Sequence, residues 1–99
     1  DIIKNRRALH QIPETALEEF KTKEYLKNYL ISIGLEPQEI VETGLFVYIE
    51  GKDKENCIAF RSDIDALNIK EETGAEFESK HVGKMHACGH DGHMTTLLA

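Results

Sequence analysis

From Leu17 to Ile33, apolar side chains recur at three- and four-residue steps: Leu17, Phe20, Leu26, Tyr29, Leu30 and Ile33. That period lays a single apolar stripe along a helix, and the stripe needs a second layer to cover it. Its limits are written nearby. Thr15 and Glu18 have capping-box spacing, in which a hydroxyl accepts from an early helical amide while a carboxylate reaches back. Gly34 stands where a left-handed cap is wanted, and Pro37 follows shortly after. These signals predict a helix over 15–33. Upstream, Ile2, Ile3, Arg6 and Leu9 fall near helical spacing and predict a short helix over 2–11, ended by the Pro13 region.

After Pro37 the helical period is gone. Residues 38–43 read as a short strand, and Leu45 to Glu50 is rich in β-branched and aromatic residues, as strands are. Gly51 to Asn56 is a polar turn. Cys57 to Phe60 is a near-continuous apolar run, the pattern of a strand covered on both faces. The strands 45–50 and 57–60 are expected to form a hairpin, with Cys57 an inert core residue. Helices followed by a sheet with a buried central strand give an α/β layered fold.

Composition narrows the class. A chain of 99 residues makes at most one small domain. Eighteen acidic residues against twelve basic ones give a net charge of -6, which argues against a nucleic-acid module with its basic face. No apolar run approaches the length of a membrane span, and no signal-peptide core is present. Two cysteines are too few for a disulfide scaffold, so a reducing, cytoplasmic compartment is the expectation. The chain opens at Asp1 with an apolar pattern already running and closes on a helix-forming stretch, Thr95 to Ala99, without a stop signal. It is therefore read as a piece of something longer.

Two segments break the ordinary patterns. Arg61-Ser62-Asp63-Ile64-Asp65-Ala66-Leu67 puts two carboxylates after the most buried-looking strand. In α/β sheets ligands bind beyond the carboxyl ends of strands. Asp63 and Asp65, two residues apart, would share one side if the strand continued. They could bind a cation or orient a histidine. The plain alternative is a polar turn in which Arg61 pairs with one aspartate. The second segment, Lys84 to His93, holds three of the five histidines and one of the two cysteines within eight residues. Imidazole and thiolate suit Zn²⁺, Mn²⁺, Co²⁺ or Ni²⁺ rather than Ca²⁺ or Mg²⁺. Gly89 between Cys88 and His90 can bend the backbone so that both side chains turn inward. Asp91 reads as the N-cap of a helix beginning at Gly92. A surface loop with scattered histidines is the plain alternative, but a random loop rarely gathers so many ligand-type side chains.

Other readings of these residues carry less. A closed structural zinc site needs four ligands, and no second knuckle exists. No C-x-x-C motif supports thiol–disulfide chemistry. A catalytic dyad of Cys88 with His86 or His90 stays open on local sequence. His10 reads as a structural residue at a helix end and His81 as a surface-loop residue. For His86, hydrogen-bonding support of a site and simple packing both stand. His93, three residues after His90, is not assigned as a ligand.

Three ordered motifs together resemble the amino-terminal part of the M20 metallopeptidase family, in its amidohydrolase branch of aminoacylases, N-acetyldiaminopimelate deacetylases and auxin-conjugate hydrolases. They are Arg6-Arg7-Ala8-Leu9-His10-Gln11-Ile12-Pro13-Glu14, then Arg61 to Leu67 with Glu71-Glu72-Thr73-Gly74, then Met85-His86-Ala87-Cys88-Gly89-His90-Asp91-Gly92-His93. The resemblance implies part of an aminopeptidase-like three-layer α/β/α catalytic domain: two helices, then strands of a mixed sheet. It implies a site for two divalent ions (Mn²⁺, Zn²⁺, Co²⁺ or Ni²⁺), with Cys88 and His90 as ligands. Asp65 would be the carboxylate that orients a ligand, and Asp63 stands where other branches have a histidine. Asn68 departs from the proline common in the branch. The family's general-base glutamate, its partner glutamate, two later histidine ligands and the dimerisation domain would lie downstream of the last motif. The full-length parent is thus expected to hydrolyse N-acyl amino acids, in the manner of hippurate hydrolases. It is expected to act on small molecules rather than on nucleic acid or membrane, and as a homodimer, while these 99 residues alone would be inactive. The alternative is a non-catalytic relative or binding module that keeps the fold.

Overall fold

A computed structural model describes residues 1–99. Helix α1 spans Ile2–His10, within a residue of its predicted end. The Asp1 side chain caps it by accepting from the Ile3 amide at 2.9 Å. Helix α2 spans Phe20–Ser32, so it starts five residues later than the capping-box spacing suggested. Thr15 and Glu18 make a turn instead: the Glu18 amide donates to the Thr15 carbonyl at 3.0 Å. Leu17 then takes a left-handed φ of 68°, which a helix cannot contain.

The cap of α2 comes from further upstream. The buried Glu14 carboxylate accepts from the Lys21 amide at 3.2 Å, the Thr22 amide at 2.6 Å and the Thr22 hydroxyl at 2.7 Å. It satisfies first-turn donors that no intrahelical carbonyl can reach. The far end follows the sequence reading. Gly34 has φ 88°, its amide donates to the Ile31 carbonyl, and the Leu35 amide donates to that of Leu30. This pair of bonds is the Schellman arrangement. Of the predicted stripe only Leu26 is fully buried, and Leu17, Phe20 and Ile33 are exposed.

Strands β1 (Gln38–Ile40) and β2 (Gly44–Phe46) pair antiparallel, with Gln38 opposite Phe46 and Ile40 opposite Gly44. The hairpin therefore forms between the first two predicted strands, not between 45–50 and 57–60. Closing the short 41–43 turn costs less chain entropy than pairing across 51–56. Lys23 and Lys27 of α2 both reach Glu39 of β1 at 3.3 Å and hold its carboxyl below the ordinary range, the Lys27 hydrogen bond most strongly. Residues 47–60 have no regular structure. The predicted central strand is unpaired: Ile58 is 80% and Phe60 78% exposed, and Cys57 is exposed rather than in a core. A central strand needs a hydrogen-bonded neighbour on each side, and the sheet consists of β1 and β2 alone.

Helix α3 spans His90–Leu98. It starts two residues before the predicted position, with Gly89 as N-cap and Asp91 inside the first turn. The core sits between helices: Leu9 of α1, Leu26 of α2 and Met94 of α3 pack together, flanked by Tyr25, Leu45, Ile64 and Leu98. No helix is long and apolar enough to cross a membrane. Between β2 and α3 the chain is pinned by scattered bonds. The Ala66 amide donates to the Glu14 carbonyl at 2.7 Å, and Leu67 and Met85 exchange two backbone bonds at 3.0 Å. The Lys80 amide donates to the Gln11 carbonyl at 2.9 Å, and His81 Nδ1 lies 2.8 Å from the Pro13 carbonyl oxygen. Those bonds bring 61–67 and 84–90, the two chemically unusual segments, to one side of the helical core.

Candidate metal centre

The two segments meet at His90. Its Nδ1 lies 2.9 Å from the Asp65 carbonyl oxygen and 3.0 Å from Asp65 Oδ1. Both neighbours are acceptors, so Nδ1 carries the hydrogen and donates. The other ring nitrogen, Nε2, lies 3.9 Å from Asp63 Oδ2. A ring fixed this way presents Nε2 in one direction, as metal-ligating histidines do with the nitrogen that meets the ion. The local chain explains the placement. Gly89 holds φ 97° and no atom within 4 Å would meet a Cβ there, so the backbone angle, not crowding, calls for glycine. That bend turns the chain into α3 with His90 as its first residue.

The Asp63 carboxylate also pairs with Arg61, the contact expected of the polar-turn alternative. Cys88 has an exposed thiol and is not in a disulfide. His90 and His93 face one another with ring centroids 5.8 Å apart. No three His, Cys, Asp or Glu side chains of these residues enclose an ion by themselves. In donor chemistry, a thiol, an imidazole oriented by its partner and a carboxylate within this stretch of chain suit a borderline-soft cation.

Behind this pair lies a second network. His10, at the end of α1, is 2% exposed. Its Nδ1 is 2.8 Å from Asp91 Oδ2, and its Nε2 is 3.0 and 3.1 Å from the two Glu71 oxygens. Arg6, one turn earlier, reaches the same Asp91 oxygen through Nε at 3.0 Å. Asp91 is 1% exposed, so it serves as a buried ion-pair partner rather than as the N-cap expected of it. Burial works against the Glu71 charge, yet hydrogen bonds from the Thr73 hydroxyl, the Ser79 amide and His10 outweigh it and hold its carboxyl below the ordinary value. A cleft of about 330 Å³ opens beside this network, walled by Arg6, Glu71, Phe77, Met85 and His86 among others.

His86 lies against both groups. It is 4% exposed, and neither ring nitrogen has a hydrogen-bond partner, so hydrogen-bonded support of the site is not seen. Burial pushes its imidazole below the ordinary value; Asp91 opposes the shift, His10 and His90 add to it, and Asp65 opposes it. Sequence spacing holds no signal that Asp91 and Glu71, 81 and 61 residues beyond His10, close on that histidine.

Comparison with known proteins agrees on one family. The profile of peptidase family M20/M25/M40 matches residues 59–99. The N-acetyldiaminopimelate deacetylase of Streptococcus pneumoniae (strain Hungary19A-6) is 51% identical over 102 residues, covering 99% of this chain and 27% of that protein. The enzyme of the same name from Bacillus subtilis (strain 168) is 50% identical over 103 residues, with the same coverage. Among solved structures, the Bacillus subtilis YXEP protein, described as a dinuclear metal-binding peptidase of the M20 family, superposes with a TM-score of 0.93 at 38% identity. It covers 98% of this chain and 28% of its own. A putative aminohydrolase from methicillin-resistant Staphylococcus aureus gives 0.91 at 38% identity, over 98% of this chain and 26% of that one. The chain thus spans about a quarter of the length of these relatives and has the fold of the amino-terminal part of M20 peptidase domains.

Proposed function

We propose that the chain is the amino-terminal, metal-binding portion of the catalytic domain of a metal-dependent amidohydrolase of the M20 type, a reading supported by the profile match over residues 59–99 and by the similarity to the deacetylases and to the M20 peptidase structure. The reaction proposed is hydrolysis of the amide bond of an N-acyl amino acid, releasing a carboxylate and a free amino acid. N-acetyldiaminopimelate, named for the relatives, is the first substrate to test, with hippurate as the comparison. The observation that carries the reading is the His90–Asp65 contact, which fixes the ring with Nε2 turned to the side of Asp63.

In this reading Cys88 and His90 hold part of a two-ion site for Mn²⁺, Zn²⁺, Co²⁺ or Ni²⁺. When bound, such ions supply Lewis acidity and a water that ionises near neutral pH. Cys88 binds as a thiolate, so acid weakens retention of the ion. Asp65 positions His90 and does not itself move a proton. The base that takes the proton of the attacking water is expected outside these residues, which leaves the 99-residue piece inactive alone. A cytoplasmic homodimer is the proposed form of the whole protein.

The test is metal analysis and turnover of the full-length protein. The proposal expects bound transition metal, hydrolysis of N-acetyldiaminopimelate, and loss of both in Cys88→Ser. Metal-free protein without turnover would point to a non-catalytic relative or binding module. Unchanged metal content and activity in Cys88→Ser would remove Cys88 from the ligand set.

A further inference from the structure

We propose that His10 is a positioning residue for the candidate metal centre, fixing the first turn of α3 through its hydrogen bonds to Asp91 and Glu71. This inference rests on the metal-site reading above, and concerns a residue that reading does not use. Both ring nitrogens of His10 are engaged by carboxylates, so neither faces a site where an ion could sit. With Arg6 it packs against the two carboxylates of Asp91 and Glu71. Buried charge is tolerated when paired in this way, and removing one partner leaves another uncompensated.

The geometry gives the cluster a direction. One Asp91 oxygen holds His10 and Arg6, while the other accepts from the Gly92 amide at 2.9 Å, inside the first turn of α3. Asp91 therefore cannot shift without shifting the start of that helix. His90 is the adjacent residue, and Cys88 lies just across the Gly89 bend. On the other side Glu71 is anchored by the Ser79 amide at 2.8 Å and by Thr73. Phe77 covers the cluster: its ring meets His10 edge-on at 5.8 Å, and Arg6 and Arg7 lie over it at 5.4 and 4.7 Å. His10 joins α1, the 71–79 loop and α3 at one point, directly behind the residue whose ring must aim at an ion.

The test is Co²⁺ titration of the full-length protein, read by the thiolate-to-cobalt charge-transfer absorption, beside thermal unfolding. Wild type must first show the band, and Cys88→Ser must lose it; otherwise the metal-site reading fails, and this proposal with it. Given the band, His10→Gln should weaken Co²⁺ binding about 10- to 100-fold, as for other residues that orient a ligand, and should alter the band in the folded protein. A merely structural histidine would lower the unfolding midpoint and leave affinity and band unchanged, which overturns the proposal alone. If His10→Gln does not fold, Glu71→Gln, which keeps an acceptor but removes one charge, takes its place. Weakened Co²⁺ binding there supports the proposal, and wild-type affinity overturns it.

Discussion

Replacing Glu14 with alanine should unlatch the first turn of α2 without touching its apolar face. The carboxylate accepts three hydrogen bonds, from the Lys21 amide at 3.2 Å, the Thr22 amide at 2.6 Å and the Thr22 hydroxyl at 2.7 Å. Loss of a helix cap costs about 1 kcal/mol. Leaving the buried Thr22 donors short of an acceptor adds about 1–3 kcal/mol. The Ile12 carbonyl, 3.5 Å from the Thr22 hydroxyl, recovers part of this, which points to the lower half of that range. The sum is about 2–3 kcal/mol, on the order of 30- to 150-fold in the local opening equilibrium. Amide hydrogen exchange of the full-length protein measures it residue by residue. Thr22 and Lys21 should exchange faster by that factor in Glu14→Ala, while the Ala66 amide, which bonds the Glu14 backbone at 2.7 Å, should keep its protection. Exchange at Thr22 within threefold of wild type would show that the cap is not where α2 is held.

Three further outcomes follow from the same geometry. Asp65→Ala should weaken metal binding about 10- to 100-fold, because the carboxylate that meets His90 Nδ1 is lost while the Asp65 carbonyl remains; calorimetric titration with Zn²⁺ reads this. Gly89→Ala should destabilise the start of α3 by about 1–2 kcal/mol through its left-handed φ alone, since the surroundings leave room for the methyl; Gly89→Asn should cost less, and denaturant unfolding compares the two. The folded-state carboxyl of Glu71 lies below its ordinary 4.5, so its contribution is present above pH 4.5 and is lost as the pH falls through the lower folded value; acid titration of Glu71→Gln should lack that part of the loss.

The parts of the fold that were legible in sequence are those set by local chemistry. The end of α2 was visible because Gly34 and Pro37 act within one turn of the chain. Its beginning was not, because Thr15 and Glu18 satisfy each other in a turn and the cap arrives from Glu14, seven and eight residues before the amides it holds. Apolar runs near the middle were read as a buried strand, yet Ile58 and Phe60 have no neighbouring strand within these residues, and a run of side chains cannot report whether a partner is present. The site was legible as two segments dense in ligand-type residues, and the structure joins them through His90 and Asp65, 25 residues apart. The charge cluster behind it was not legible. Asp91 looks like a cap when only its neighbours are considered, and its partners Arg6 and His10 belong to the opposite end of the chain.

X-ray absorption on the zinc-loaded full-length protein tests the central claim most directly. Zinc bound by Cys88 and His90 requires a sulfur neighbour at about 2.3 Å together with nitrogen at about 2.0–2.1 Å. That sulfur shell should vanish in Cys88→Ser and persist in Cys57→Ser, the other free cysteine. A zinc site with only nitrogen and oxygen neighbours in the wild type, or an intact sulfur shell in Cys88→Ser, would contradict the assignment of Cys88 as a ligand.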